Sequence, residues 1–383
     1  MRTAQRWAGF GQTVFTEITE LARLHGAINL GQGFPDFDGP DFVKDAAAAA
    51  MRSGENQYAR MFGVPELNEA IAARFAADTG RAVDPVAEVT VTSGCTEALA
   101  SSFLGLVDPG DEVVLIEPYY DSYPAGVALA GATPRYVTLR PPGFRLERDA
   151  LEAVVGPATR AIVVNTPHNP AGRVFDEQEL QAVADVAIRH DALVFADEVY
   201  ERLVFDGAHR SIAMRPGMWE RTVTMSSLGK SFSLTGWKIG WAIAPPELTA
   251  GVRAAHQFLT FATAAPLQHG AVAALHAPDD YYDQLVAGYR RKRDLLAEGL
   301  DRVGFDVFVP EGTYFILADH RPFGFADDVA FSRHLTAEIG VAAIPPSAFY
   351  HDPADGADLI RFAFCKGDVT LRAAVERLEG LRR

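Results

Sequence analysis

The stretch RAIVVNTPHNPAGRVFDEQELQAVADVAIRHDALVFADE, residues 160–198, decides the fold of this chain. It begins with a nearly continuous apolar run (160–166), passes into a segment whose apolar residues recur about every 3.6 positions (176–190), and ends in a second apolar run (192–198). The apolar runs favour strands covered on both faces of a sheet, and the intervening spacing favours an amphipathic helix. A strand, a helix and a strand in this order predict a parallel α/β sheet.

The same alternation extends in both directions along the chain. Further strands are predicted at residues 88–92, 111–117, 134–139, 221–226 and 240–244. From about residue 280 the pattern changes to an α+β unit, with helices at 280–302, near 327–339 and from about 368, and strands at 305–310, 314–319, near 341–344 and at 359–365. The first 40 residues lack the sheet pattern. We therefore predict a large domain (41–279) and a small domain built from 1–40 and 280–383.

Composition excludes several classes of protein. The 383 residues carry a formal charge of −15 without basic tracts, which argues against nucleic-acid partners and anionic membrane surfaces. No apolar stretch resembles a signal peptide or a membrane span, and two distant cysteines, Cys95 and Cys365, fit a reduced compartment. No His/Cys pattern with metal-ligand spacing is present. We expect a cytoplasmic protein without a metal site.

The segment MSSLGKSFSLTGWKIGW (225–241) contains two lysines, Lys230 and Lys238, and raises the alternative of a nucleotide-binding P-loop. That motif requires a glycine five positions before Gly229, where this chain has Thr224. The P-loop interpretation is therefore rejected, and Lys230 needs a different role.

Polar residues follow several of the predicted strands. Asn169, Asp197, Tyr200 and Lys230 come after three of them, and a Ser-Gly-Cys-Thr turn follows 88–92 and opens a helix. Ligands of open α/β sheets bind at the carboxyl ends of the strands, and a glycine turn at a helix N-terminus suits a phosphate. A lysine and an aspartate at such a site indicate pyridoxal phosphate, which needs a lysine for its Schiff base and a carboxylate for its ring nitrogen.

Three motifs in this order, Asn-x-Pro-x-Asn-Pro-x-Gly (165–172), Asp-Glu-Val-Tyr (197–200) and Ser-x-x-Gly-Lys with Gly-Trp-Lys (226–238), carry a family resemblance. Together they resemble the class I/II pyridoxal-phosphate aminotransferases of fold type I. That resemblance implies a mostly parallel central sheet in the large domain and a smaller α+β domain. The segments 28–40, 56–63, 117–123, 312–319 and 360–366 narrow it to the branch of kynurenine, glutamine and methionine aminotransferases. Bacterial proteins assigned as N-succinyldiaminopimelate aminotransferases are also similar.

The resemblance implies roles for individual residues. Lys230 would form the Schiff base with pyridoxal 5′-phosphate and shuttle the proton, and Asp197 would keep the ring nitrogen protonated. Asn169 and Tyr200 would bond the ring oxygen, and Tyr120 would stack on the ring. The phosphate would be held by Gly94, Cys95, Thr96, Ser227 and Lys238, with Tyr58 reaching the site of the other subunit of a homodimer. The substrate would be held by Arg361, Gly33 and Asn169, with Phe15 and Phe261 around its side chain.

The implied reaction is ping-pong transfer of an amino group to a 2-oxo acid. An aromatic pocket, with Tyr123 and Phe349 nearby, favours an aromatic or long uncharged L-amino acid such as kynurenine, glutamine, methionine or phenylalanine. Some kynurenine-type relatives have a histidine at the position of Ala262, which weighs against kynurenine itself. N-succinyldiaminopimelate is the alternative substrate, with Arg60 as one candidate for its distal carboxylate.

Two further functions are compatible with the same sequence. A cysteine-conjugate β-lyase would use the same scaffold, and a ligand sensor without enzymatic activity could retain the fold. Several residues would also be unremarkable if each stood alone: Tyr120, Phe15 and Phe261 as core aromatics, Cys95 as a buried filler and Arg361 as an ion-pair residue.

Overall fold

The computed structural model describes residues 4–11 and 14–382. Its α-helices are α1 (Val14–His25), α2 (Asp41–Ser53), α3 (Pro65–Thr79), α4 (Gly94–Leu106), α5 (Ser122–Ala130), α6 (Arg148–Val154), α7 (Glu177–Arg189), α8 (Leu228–Ser231), α9 (Pro246–Leu259), α10 (Ala265–Leu275), α11 (Asp279–Val303), α12 (Asp328–His334) and α13 (Asp368–Leu378). Its strands are β1 (Ile28–Asn29), β2 (Val89–Ser93), β3 (Glu112–Glu117), β4 (Thr133–Thr138), β5 (Thr159–Asn165), β6 (Leu193–Asp197), β7 (Thr222–Ser227), β8 (Ile239–Ile243), β9 (Asp306–Phe308), β10 (Phe315–Asp319), β11 (Val341–Ala342) and β12 (Leu359–Ala363).

A seven-stranded sheet forms the centre of the molecule, in the order β2-β8-β7-β6-β5-β3-β4. Six of the seven strands run in the same direction, and β8 is antiparallel to both of its neighbours, β2 and β7. Strands β5 and β6 are fully buried apart from one position, because helices cover both faces of the sheet. The predicted α/β fold with a mostly parallel sheet is confirmed, and the stretch 160–198 does form strand, helix and strand.

The register of the central strands positions the site. Asn165 lies opposite Asp197, and Asp197 lies opposite Met225. The carboxyl ends of β5, β6 and β7 are therefore level, so the segments that follow them meet at one edge of the sheet.

Helix α7 shows how the sequence fixes the connection between β5 and β6. Asp176 accepts hydrogen bonds from the backbone N–H groups of Gln178 and Glu179, and the Glu179 side chain accepts from the Asp176 N–H, which completes a capping box. Arg173 then pairs with Glu179 at 2.7 Å, and the buried face of the helix packs on the sheet.

The C-terminal part forms a three-stranded antiparallel sheet in the order β12-β10-β9, preceded by the 25-residue helix α11. The N-terminal segment joins this part, because β1 pairs in parallel with β11 through Ile28 and Val341. We propose, on this pairing and on the start of α11 at Asp279, the division into a large domain at 41–279 and a small one at 1–40 and 280–383. Within the described ranges, no helix combines the length and the apolarity needed to cross a bilayer.

Candidate active site

A cavity of about 240 Å³ opens at the level carboxyl ends of β5, β6 and β7. Most of the residues predicted for the cofactor site line it: Gly33, Gly94, Cys95, Thr96, Tyr120, Asn169, Asp197, Tyr200, Ser227, Lys230 and Lys238. Residues from distant parts of the sequence therefore meet around one space, as expected for polar residues that follow neighbouring parallel strands.

Lys230 lies on the short helix α8, directly after β7. Its Nζ donates to the hydroxyl of Tyr314 at 3.0 Å, and that hydroxyl donates to the carbonyl oxygen of Gly33 at 2.6 Å. Burial lowers the pKa of Lys230 because the surroundings disfavour the ammonium form. A lysine with a lowered pKa more readily supplies the neutral amine that a nucleophile requires.

The Asp197 carboxylate is buried and has donors on both oxygens. Tyr123 donates to Oδ2 at 2.7 Å, while the Cys95 thiol at 3.6 Å and the Val199 N–H at 3.3 Å donate to Oδ1. Burial nevertheless raises the pKa of Asp197, and these donors offset the increase only in part. A carboxylate in this condition is stabilised by a cation placed in the cavity.

Two asparagines, one at the end of β5 and one in the loop that follows, order the chain beside Asp197. Asn165 donates from Nδ2 to the carbonyl oxygen of Asp197 at 2.8 Å, and its Oδ1 accepts from the Asn169 N–H at 2.7 Å. The side-chain oxygen of Asn169 is buried without a partner among the described residues. Such a group needs a partner supplied by whatever occupies the cavity.

The turn between β2 and α4 forms an anion cradle. Gly94 has a φ of +72°, and a Cβ there would lie 3.2 Å from Nζ of Lys238. Lys238 itself lies 3.4 Å from the Thr96 hydroxyl. A Cβ on Gly240 would lie 2.5 Å from the Cys95 nitrogen, so glycine is needed for β8 to approach the turn. Free N–H groups at the start of a helix and a nearby ammonium together suit a phosphate.

Arg361 lies on β12, next to the N-terminal segment whose Gly33 lines the cavity. Its guanidinium is buried among three rings, at 4.3 Å from the centroid of Phe315, 5.0 Å from Phe349 and 5.1 Å from Phe15. Nη2 donates to the Gly31 carbonyl at 2.8 Å, and Nε has no partner in the described structure. Burial lowers the pKa of Arg361 to about 10, and the group still carries its charge at neutral pH. It is therefore a buried cation with donor capacity to spare, suited to a carboxylate.

Five predicted residues are not among those that line the cavity: Phe15, Tyr58, Arg60, Phe261 and Arg361. Tyr58 is 89% exposed, and its ring makes an edge contact with Phe261, which is 42% exposed, at a centroid distance of 5.7 Å. Arg60 donates to the Gly63 carbonyl and to Asn68, so it is already engaged. Phe261 does not line the cavity of its own chain, and its place in a substrate pocket stays a prediction.

Three contacts of the site were not predicted from the sequence. Tyr314, next to Lys230, lies in the segment 312–319 that supports the family resemblance, but that segment gave it no role. Tyr123 was expected near the substrate side chain, but its hydroxyl bonds Asp197, and a separation of 74 positions hides such a pair from any local pattern. The thiol of Cys95, for which the sequence suggested no task, also faces Asp197.

Comparison with known proteins decides the family. Residues 25–378 match the family model for aminotransferase class I and II. The chain belongs to this family. As a member of it, this enzyme is a pyridoxal-phosphate-dependent transaminase, and its cofactor is pyridoxal 5′-phosphate.

Individual members of the class I and II aminotransferases are similar over almost the whole chain. The solved structure of the N-succinyldiaminopimelate aminotransferase from Mycobacterium tuberculosis is 49% identical, with a TM-score of 0.97, over 99% of this chain and 100% of that one. The methionine aminotransferase of Escherichia coli is 42% identical over 97% of this chain and 96% of its own. A kynurenine–oxoglutarate transaminase of Dictyostelium discoideum is 37% identical over 100% of this chain and 97% of its own.

The residues of this aminotransferase fit the cofactor of its family. The buried Asp197 suits a protonated ring nitrogen, the unpartnered amide of Asn169 suits a ring hydroxyl, and the turn at Gly94 with Lys238 suits a phosphate. Lys230 faces the same cavity. The ring nitrogen, the ring hydroxyl, the aldehyde and the phosphate of pyridoxal 5′-phosphate therefore each have a residue of suitable chemistry in the cavity.

Proposed function

We propose that this transaminase transfers the amino group of an aromatic or long uncharged L-amino acid to a 2-oxo acid by a ping-pong reaction. The observation that carries the proposal is the surrounding of Arg361. Its guanidinium is aligned by the Gly31 carbonyl and enclosed by Phe15, Phe315 and Phe349. A carboxylate bound there leaves the rest of an amino acid among apolar rings, which favours side chains without charge.

Lys230 is proposed to hold the cofactor and to move the proton. Bound pyridoxal 5′-phosphate supplies an aldehyde that condenses with amines and a cationic ring that accepts electron density. Lys230, once released by the substrate amine, would take the proton from the substrate Cα and deliver it to the former aldehyde carbon of the cofactor. Tyr314 holds Nζ in place at 3.0 Å, and the lowered pKa of Lys230 keeps the amine available as a base.

Asp197, Tyr200 and Asn169 are proposed to orient and polarise the ring. Asp197 keeps the ring nitrogen protonated, and Tyr123 fixes its carboxylate at 2.7 Å. Asn169 and Tyr200 hydrogen-bond the ring oxygen. Tyr120, which makes an edge contact with Tyr123 at 5.8 Å, covers one face of the cavity and excludes water there.

Phosphate binding is proposed for the turn at the start of α4. Gly94, Cys95 and Thr96 offer backbone N–H groups, and the Thr96 hydroxyl adds a side-chain donor. Ser227, at the end of β7, adds a second hydroxyl, and Lys238 a cation. For Cys95 the backbone serves the phosphate, while the thiol serves Asp197.

Gly33 and Arg361 are proposed to bind the substrate carboxylate together. A Cβ on Gly33 would lie 2.7 Å from the ring of Phe315, so only glycine fits at this approach. Asn169, which also lines the cavity, assists them. Phe15 forms one wall for the substrate side chain, and its ring lies 5.8 Å from that of Phe349.

A homodimer is proposed because aromatic side chains of the large domain are left on the surface. Tyr58, Phe258 and Phe261 are 89%, 86% and 42% exposed. Burial of such rings against a second copy is favourable, and it would bring Tyr58 to the phosphate and Phe261 to the substrate pocket of that copy. Sedimentation as a monomer at assay concentrations contradicts the proposal. We also propose a cytoplasmic location, supported by two free buried cysteines.

N-succinyldiaminopimelate is a second candidate substrate, favoured by the 49% identity to the Mycobacterium tuberculosis enzyme. Such a substrate carries a distal carboxylate and needs a further cation. Arg60 already donates to the Gly63 carbonyl and to Asn68, so within one chain it is not free to bind the distal carboxylate. This engagement favours the uncharged amino acids.

A panel of amino donors decides between the two candidates. The holoenzyme is mixed with phenylalanine, methionine, glutamine, kynurenine or N-succinyl-LL-diaminopimelate, and the rate of the cofactor absorbance change is measured. We expect kcat/KM to be highest for one of the first four donors. A kcat/KM at least tenfold higher for N-succinyl-LL-diaminopimelate selects the second candidate, and aspartate serves as a short charged control.

A further inference from the structure

A second cavity, of about 520 Å³, lies behind the turn that carries Asp197 and Tyr200. Glu198 and Glu201 line it, together with Thr224 and Ser226 of β7 and Trp241 of β8. Its volume is within the range of small-molecule sites. None of the residues proposed above for cofactor or substrate lines this cavity.

Neighbouring residues in the segment 197–201 line different cavities. Asp197 and Tyr200 line the cofactor cavity, whereas the residue after each of them, Glu198 and Glu201, lines the second cavity. One short segment therefore separates the two spaces, and Glu198 and Glu201 each directly follow a proposed cofactor contact in the chain.

Four residues that line the second cavity have a buried polar side-chain atom without a partner in the described structure. These atoms are Glu198 Oε1, His209 Nδ1, Ser211 Oγ and Thr224 Oγ1. Glu198 is only 5% exposed and Thr224 only 4%. An unpaired buried polar group destabilises the folded protein, so four of them favour an occupant that bonds them.

Four arginines and four carboxylates line the cavity, and none of the arginines pairs directly with Glu198 or Glu201. Arg202 pairs with Asp78, Arg210 and Arg215 pair with Glu177, and Arg74 pairs with Asp279 at 3.6 Å.

Glu198 and Glu201 have fewer charged partners than these arginines. Glu198 has a partner on one oxygen only, His209 at 3.0 Å. Glu201 accepts from the Ser226 hydroxyl, at 3.0 Å to each oxygen, and from no cation directly. Burial accordingly raises the pKa of Glu201 to about 7, although the charges of Arg202 and His209 lower it. The occupant that this arrangement favours supplies N–H donors and a positive charge.

We propose that the second cavity binds a small organic ammonium ion, with its N–H groups donated to Glu198 and Glu201 and its carbon atoms against Trp241. Such a cation satisfies the free oxygen of Glu198 and compensates the charge of Glu201. The hydroxyls of Ser211 and Thr224 accept further N–H bonds. Occupancy restrains the segment 197–201 from the side opposite the cofactor.

Ethylammonium is the probe, titrated by calorimetry into holoenzyme that has been reduced with borohydride. Reduction fixes the cofactor to its lysine, so the amine cannot react there. We expect saturable binding of one ethylammonium per chain. Tetramethylammonium has the same charge and no N–H donor, and we expect at least tenfold weaker binding. Ethylammonium heat that does not saturate, or that tetramethylammonium reproduces, overturns the proposal.

Substitutions locate the site. Glu198→Gln and Glu201→Gln keep the shape of the side chain and should each weaken ethylammonium binding at least fivefold, whereas Glu220→Gln, at an exposed position, should not change it. Unchanged affinity in both cavity variants overturns the proposal. If either variant does not fold, Thr224→Val takes its place with the same expectation. The absorbance of the reduced protein shows whether borohydride has fixed the cofactor to a lysine. This measurement tests the proposed role of Lys230 independently of ethylammonium binding.

Discussion

Single residues in this enzyme act through the burial of their charges. Arg361 and Asp197 lie in surroundings that disfavour ions. Burial lowers the pKa of Arg361 and raises the pKa of Asp197, which in each case favours the neutral form. Both are therefore stabilised by a partner of opposite charge, for which we propose the substrate carboxylate at Arg361 and the ring nitrogen at Asp197. The family resemblance implied the roles of both residues. It also placed Phe15 and Phe349 near the substrate side chain, whereas the contact of Phe315 with Arg361 was not predicted.

Arg361→Lys should raise KM for amino acids at least tenfold and change kcat less, because a lysine lacks the planar fork that binds a carboxylate through two bonds. Arg321→Lys is the matched control, since that side chain is 66% exposed and pairs with Asp319 away from the cavity. Steady-state kinetics with the best donor measures both variants. An unchanged KM in Arg361→Lys removes this residue from carboxylate binding.

Tyr123→Phe should weaken cofactor binding and lower turnover by about tenfold, because the hydroxyl that donates to Asp197 is lost and the buried carboxylate is left short of a donor. Tyr350→Phe is the control, since its buried hydroxyl has no partner in the described residues. Equilibrium titration with the cofactor and steady-state assays compare the two. Equal behaviour of both variants contradicts the role of Tyr123.

Glu201→Gln should make the stability of the apoenzyme less dependent on pH. The pKa of Glu201 rises from its usual value of 4.5 to about 7 on folding, so the folded state binds the extra proton. Stability is therefore lost as pH rises from about 4.5 through 7, and the variant lacks this loss. Urea unfolding at pH 5 and pH 8 measures it, with Glu220→Gln as control. A wild-type minus variant difference that is the same at both pH values contradicts the assignment.

Among the secondary-structure elements, strand ends and helix starts build the site. The bounds of β5 and β6 were predicted to within one or two residues, because these buried strands are continuous apolar runs that end at Asn165 and Asp197. The pairings Tyr123–Asp197 and Lys230–Tyr314 connect different elements across 74 and 84 positions. Packing alone determines such pairs, and no local pattern indicates them.

Gly94→Ala should raise the dissociation constant of the cofactor by tenfold or more. The substitution strains a backbone with a φ of +72° and places a Cβ against Lys238. Gly80→Ala is a matched control with a φ of +76° and open space around its Cβ, so it costs about 1 kcal/mol of stability without touching the cradle. Equal cofactor affinity in the two variants contradicts the phosphate role of the α4 turn.

In the molecule as a whole, the N-terminal strand β1 pairs with β11 of the C-terminal part, and the cofactor cavity lies at the carboxyl edge of the central sheet. The pairing of β1 with β11 carries Gly31 and Gly33 toward Arg361 and Tyr314. The sequence predicted that the first 40 residues accompany the C-terminal unit. It could not place Tyr58 and Phe261, because their proposed positions depend on a second copy of the chain.

The chemistry proposed for this transaminase depends on Lys230 as the residue that carries the cofactor. Borohydride reduction of the holoenzyme, followed by digestion and mass spectrometry of the peptides, identifies the modified residue. We expect one pyridoxyl group per chain, attached to Lys230. A pyridoxyl group on Lys238 or another lysine, or none at all, contradicts this role.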